Sequence, residues 1–431
     1  MTMQGSQDGV AAFMEYAFVA APGGQSRFVG ADSKGFVLNY ASGFLWAVVD
    51  GFWVAPDDFS ATDGSSITFT TAVDQGTHVR LIALSPFNVA NVYSQLQSDT
   101  LYAKRRNRII DPGMRVSQEN GNNATTANAV GYYVSDSCFS ARNTAAGGAT
   151  VQRIALQTPG GSPYRTRVTI TTANPTPAAG DEFILGTNIE GIDIADLNLG
   201  LATAKQLTRR YGFRSSVSGT FTLYARNGAS NRSWLGSVTI APGEVNQDVV
   251  KTVTFVGDTT GTWATDNTKG IEIGVNLCAG SSRQGVAGWQ AGSFTGLASG
   301  VNLMATNGAT FDLFDVGLYD VTGLQNGVIP PFELAEYLTD VLRCQRYFYA
   351  SGFTSNAGYN VSNANVYLVH RLPVQMRVTP SMGFTSGGPT YGNGYGGTLV
   401  NPSTDQFQSQ WLITNTGYGF MNFTYAANAR L

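Results

Sequence analysis

Charge is scarce in this sequence. Only 13% of its 431 residues are Asp, Glu, Lys or Arg, about half of the roughly 25% usual in soluble proteins. The formal net charge is −3, which removes the electrostatic reason to expect a nucleic-acid partner. Cysteine is rarer still. Cys138, Cys278 and Cys344 are the only three, an odd, sparse set that describes no disulfide framework and suits folding in a reducing cytoplasm. There are two histidines, His78 and His370. No apolar run is long enough for a membrane-spanning helix, so membrane insertion is not expected. The opening MTMQGSQDGVAAF lacks the basic-then-apolar order of a signal peptide.

Glycine is plentiful, at 51 residues, and hydrophobic residues make up 43%. Thr, Ser and Asn stand where Lys and Glu usually would. Gly and Asn supply the positive-φ positions of tight turns, and Thr suits half-buried strands. The expectation is an all-β, multidomain protein, because the length exceeds what one ordinary core supports.

Residues 1–92 read as a small β domain. Strand chemistry is visible at Phe36 to Tyr40, Trp46 to Asp50, Ile67 to Thr71 and Val79 to Leu84. Asp50-Gly51 and Asp63-Gly64 between them are hairpin signals. Residues 93–106 form a linker whose basic run, Lys104, Arg105, Arg106 and then Arg108, reads as a solvated connector. Residues 107–328 alternate apolar and polar positions, as in Phe221, Leu223 and Ala225 against Thr222, Tyr224 and Arg226. That pattern predicts antiparallel strands in two packed sheets, an antiparallel β-sandwich of jelly-roll type. In residues 329–431 one helix is predicted over 332–349, with Phe332, Ala335, Leu338, Leu342 and Tyr349 at helical spacing. Strands are expected after it at Val366 to Val369, Val374 to Val378 and Phe420 to Tyr425.

Catalytic signatures are absent. No G-x-S-x-G, H-E-x-x-H, C-x-x-C or P-loop pattern occurs, and the two histidines fall in different predicted domains. Asp193 with Asp196, or Asp312 with Asp315, are the carboxylate pairs that glycoside hydrolysis would need. Turn capping explains such Asp residues equally well, and neither pair has EF-hand spacing. The reading is of a non-enzyme without cofactor or metal. Aromatics make the better binding case, because sugar C–H faces stack on Trp and Tyr rings. Tyr391 and Tyr395 lie in a Gly-rich stretch read as an exposed loop, with Trp411 and Tyr418 close behind. Tyr391, Tyr395 and Trp411 are therefore the candidate ligand contacts. Filling a small core or a subunit contact is the competing use of the same rings.

Several ordered stretches resemble one family. Asn107-Arg-Ile-Ile-Asp-Pro-Gly-Met-Arg-Val-Ser-Gln, Ile189-Glu-Gly-Ile-Asp-Ile-Ala-Asp-Leu, Gly257-Asp-Thr-Thr-Gly-Thr-Trp and Leu342-Arg-Cys-Gln-Arg-Tyr-Phe are similar to the carbohydrate-binding-like β-sandwich of tailed-bacteriophage fibre and tail proteins. Asp-Pro-Gly and Ser117 depart from that family's opening motif. Asp50-Gly-Phe-Trp-Val-Ala-Pro-Asp-Asp-Phe and Asp63-Gly-Ser-Ser-Ile-Thr-Phe-Thr resemble the N-terminal anchoring domain of tail fibres. The resemblance implies a virion protein assembled in the host cytoplasm, a homotrimer attached to tail, collar or capsid proteins through residues 1–92. It also implies binding to host-surface polysaccharide. A structural head fibre or decoration protein and a glycan-cleaving spike are its rivals. The family defines no catalytic residues, so none carry over.

Overall fold

A computed structural model describes residues 13–84, 106–126, 130–324 and 331–431. The architecture is all-β, built of antiparallel sheets, one short parallel pair (Gln284–Gly285 with Gly296–Leu297) and two short helices among the described residues. Two compact units divide the chain, residues 1–98 and 99–431. Apart from Arg106, the expected linker at 93–106 lies outside the described residues.

The first unit packs a four-stranded sheet against a three-stranded one. Phe28, Ile67, Ala47, Val79 and Leu81 fill the space between them. Asp50-Gly51 makes the predicted hairpin. Both residues take positive φ, 45° and 87°, the mirror-image turn that matches strand twist, and it joins Leu45–Val49 to Phe52–Trp53. The strand expected at Phe36 to Tyr40 is not formed. A single bridge, Ala31 to Val37, replaces it, and Leu38 and Tyr40 are still buried in the core.

Residues 106–324 form the sandwich, a seven-stranded sheet facing a six-stranded one. Phe183, Phe213, Phe221 and Phe311 lie between the sheets with no exposed surface, each contributing about 1.5–3 kcal/mol of burial. Asn107 fastens the opening motif. Its side-chain oxygen accepts from Leu318 N at 3.1 Å and its amide donates to Val316 O at 3.0 Å. Arg209 crosses the core from the smaller sheet to Tyr224 O and Gly274 O in the larger, at 2.6 and 2.8 Å. Burial without a carboxylate lowers its pKa to about 9.

The polar positions that alternate with Phe221, Leu223 and Ala225 fall on the outer face of the seven-stranded sheet. Tyr224, Arg226, Glu272 and Asn276 on it are buried, because the segment after Ala279 folds back and sets Phe294 and Leu297 over Phe139, Ile184 and Leu235. The polar groups pair beneath that cover. The Tyr224 hydroxyl donates to Glu272 at 3.1 Å, Lys269 lies 3.0 Å from the same carboxylate, and Arg226 pairs with it.

The remaining residues of the second unit form a smaller sandwich. One sheet contains Phe348–Ala350, Gly417–Asn428, Thr354–Asn360 and Ser381–Gly392; the other contains Asn365–Arg371, Gln406–Ile413 and Gly394–Val400. The predicted helix is shorter than 332–349 and spans Tyr337–Gln345. Residues 331–335 are not helical, and Phe348–Ala350 leaves to pair with Ala426, Ala427 and Asn428. Its apolar stripe also faces the other way. Leu338 and Leu342 are exposed, whereas Asp340 and Cys344 are buried, with Asp340 held by Arg115. The strand expected at Val374 to Val378 is irregular. Pro373 and Pro380 bracket it without ladder donors, and Met376 plugs the core instead.

Candidate functional site

The Gln406–Ile413 strand alternates strictly, with Phe407, Ser409, Trp411 and Ile413 pointing between the two sheets of the smaller sandwich. Trp411 therefore has no exposed surface. It is a core residue, because its phase in the strand is set by Phe407 and Ile413. Tyr391 sits opposite buried Met421 and leans on the same core, its hydroxyl accepting from Gly397 N at 2.6 Å. Tyr395 is 44% exposed, and its hydroxyl donates to Asn363 Oδ1 at 2.9 Å. Tyr395 lies on the outer face of the three-stranded sheet. The fold does not bring these three rings together.

It brings others together. In the Gly417–Asn428 strand, Met421, Phe423, Tyr425 and Ala427 point inward. Tyr418 and Phe420 consequently fall on the outward face, 78% and 43% exposed. Tyr359 stands directly opposite Tyr418 in the antiparallel register, and the two rings meet edge to face, 5.2 Å apart at 73°. Phe420 lies over Gly392, where an added Cβ would come within 2.2 Å of its ring. The glycine thus leaves room for the ring to lie along the sheet. Tyr359, Tyr418 and Phe420 form an aromatic platform with solvent on its outer side. Sequence reading placed Tyr418 near the candidates but missed Tyr359 and Phe420. The usable signal was phase: once Phe423 and Tyr425 are assigned inward, the even-numbered residues must face out.

The carboxylate pairs are engaged. Asp196 receives both Arg108 nitrogens at 2.6 and 2.7 Å, which holds its pKa below the usual carboxylate range, and Asp193 pairs with Arg106. Asp312 is gripped by Arg167 at 2.6 and 2.7 Å. Asp315 is buried and accepts from Thr158 Oγ1 and Gly160 N, each at 2.7 Å. Burial pushes its pKa up. His370 points inward, stacked 4.8 Å from Phe407 and within 3.0 and 2.9 Å of Asn356 Nδ2 and Ser409 Oγ. Among the described residues no cluster of His, Cys, Asp and Glu is placed to hold a metal, and the three cysteines are buried and unbridged. Nor is any helix among those residues long and apolar enough to cross a membrane.

No protein-family model and no curated protein matches this chain. Solved structures similar to it include an arabinose-bound GH51 α-L-arabinofuranosidase, at 9% identity and TM-score 0.27, covering 50% of this chain and 26% of that one. A carbohydrate-binding module, TmCBM61 in complex with β-1,4-galactotriose, aligns at 11% identity and TM-score 0.25, covering 50% of this chain and 99% of its own. The enzymatically active domain of a bacteriophage CBA120 tailspike aligns at 9% identity and TM-score 0.24, covering 45% of this chain and 21% of that one. At such scores the likeness carries no argument about function.

Proposed function

We propose that this chain is a glycan-binding adhesin of a tailed-phage virion, a fibre or spike that holds host-surface polysaccharide through its smaller C-terminal sandwich. One observation carries the binding reading: Tyr359, Tyr418 and Phe420 form an exposed aromatic platform on a rigid sheet. Rings held this way offer stacking area at little cost in conformational entropy. The virion assignment rests on the sequence motifs. In that reading residues 1–92 attach to other virion proteins, and the exposed Phe52 and Trp53 at the Asp-Gly hairpin offer a contact surface. The homotrimer belongs to the same proposal, with Leu338 and Leu342 facing the neighbouring copies. Weak sugar contacts repeated across copies add up to firm adhesion. Binding is favoured over glycan cleavage because each sequence-nominated carboxylate is already held by a guanidinium or by internal donors.

The test is retention of the protein on immobilised surface polysaccharide from the host bacterium, comparing wild type with Tyr418→Ala and Tyr359→Ala. Each ring is expected to contribute about 0.5–1.5 kcal/mol per site, so affinity should fall roughly two- to twelvefold per substitution with folding intact. Unchanged retention in both variants would refute the platform.

A further inference from the structure

We propose that the outward face of the Gly417–Asn428 strand is one continuous track for a linear, uncharged glycan several sugars long, with the aromatic platform at one end and a walled groove at the other. This rests on the glycan-binding reading above and adds the shape and charge of the ligand.

The groove has a volume of about 500 Å³, within the range of small-ligand clefts. Its floor is made of small residues, Ala350, Gly383 and Ala426, which lower the sheet surface there. Gln118 and Glu119, from the segment leading into the larger sandwich, form one wall. That wall is fixed before any ligand arrives. Gln118 Nε2 donates to Phe348 O and to Asp136 Oδ2, each at 2.6 Å. Glu119 pairs with Arg430, whose guanidinium lies between the rings of Tyr133 and Phe348 at 4.0 and 3.9 Å.

Continuity comes from strand phase. Tyr418, Phe420, Asn422, Thr424, Ala426 and Asn428 share one face of one strand. Between platform and groove the surface is small and polar, with Ser355 donating to Asn422 at 2.6 Å and Thr385 bonded to Thr424 at 2.5 Å. At about 3.4 Å per residue, the run from Tyr418 to Asn428 spans about 34 Å. That is too long for a single sugar to use both ends. Charge narrows the class further. Among the described residues, Glu119 is the only ionisable one lining the groove, and its partner Arg430 is buried. A polyanionic chain would meet that carboxylate and, among the described lining residues, no free cation, whereas hydroxyls and amides along the track suit a neutral chain.

Gly383→Trp tests the track. A Cβ there meets nothing within 4 Å, so the indole fills the groove without disturbing the core. The probe is host surface polysaccharide, partly hydrolysed, size-fractionated, and split by anion exchange into neutral and acidic pools. Affinity should reside in the neutral pool and rise with fragment length to a plateau. Gly383→Trp should lower long-fragment affinity about tenfold and leave the shortest bound fragments within about twofold, while Tyr418→Ala weakens both. Preference for the acidic pool, affinity independent of length, or indifference to Gly383→Trp each overturns the track while leaving glycan binding standing. Absence of binding to every fraction overturns the adhesin reading together with it.

Discussion

Arg346→Met is the sharpest probe of how the smaller sandwich is held to the larger one. Glu190 is 1% exposed at the end of its strand and accepts three bonds: Arg346 Nη2 at 2.7 Å, Arg346 Nε at 3.1 Å and the Tyr347 hydroxyl at 2.7 Å. Removing the guanidinium strands a buried carboxylate with one neutral donor. Breaking a buried pair costs about 3–5 kcal/mol. The Arg346 side chain is itself 35% exposed, so water screens part of the attraction and the low end, about 3 kcal/mol, is expected. An opening equilibrium shifted by that amount exchanges amides roughly a hundredfold faster. Hydrogen exchange at Phe348, Tyr349 and Ala350, whose strand begins beside the junction, is the assay. The double variant Glu190→Gln, Arg346→Met should recover most of the loss, because no buried charge remains. Wild-type exchange rates in Arg346→Met, or a double variant worse than either single, would refute the argument.

Three further outcomes are expected. Burial lowers the His370 pKa below 6.5, so the unfolded chain takes up the proton first. The contribution of this group to stability therefore falls as pH drops below about 6.5 and is fully lost below the folded value; His370→Gln should flatten this part of a Tm-versus-pH curve, and an unchanged slope would exclude His370 as its source. At Gly280 an added Cβ would lie 1.9 Å from Ala178 O and 2.5 Å from Ala179 O, whereas at Gly383 it meets nothing within 4 Å. Gly280→Ala should cost about 1–3 kcal/mol and Gly383→Ala almost nothing, so equal melting temperatures would contradict the packing. Glycan binding by a neutral track should change less than about twofold between 50 and 500 mM salt, since an uncharged ligand forms no ion pair with the track for salt to screen; a steep salt dependence in the polysaccharide assay would mean that charge carries it.

Much of the fold was legible because strand periodicity is a local signal. Phe221, Leu223 and Ala225 had to share a face, and they do, inside the sandwich core. Asp50-Gly51 had to turn, and its two positive φ values show that it does. What failed was long-range. Nothing near Tyr224 or Arg226 in sequence announces that Phe294 and Leu297 will cover them. The Tyr337–Gln345 helix buries Asp340 in place of its leucines because Arg115, far upstream, is waiting for it. The candidate site failed for a related reason. Trp411 and Tyr418 are both aromatic residues in strands, and only the phase of each strand against a core formed by other segments decides which one meets solvent.

The shortage of charge takes on a physical meaning once its placement is known. Many of the few charged groups are spent inside the protein. Arg165 is buried and pairs with Asp248, Arg226 with Glu272 beneath its cover, and Arg232 with buried Asp258. These pairs fix where sheets, loops and modules meet. The outward track is left to Tyr, Phe, Thr, Ser and Asn. Such a surface has no far-reaching field to steer a partner, and each short-range contact on it is weak. In the proposed adhesin, affinity would therefore come from many sugars along one track and from repetition of the track across copies. Such binding would be expected to change less with ionic strength than binding carried by charge.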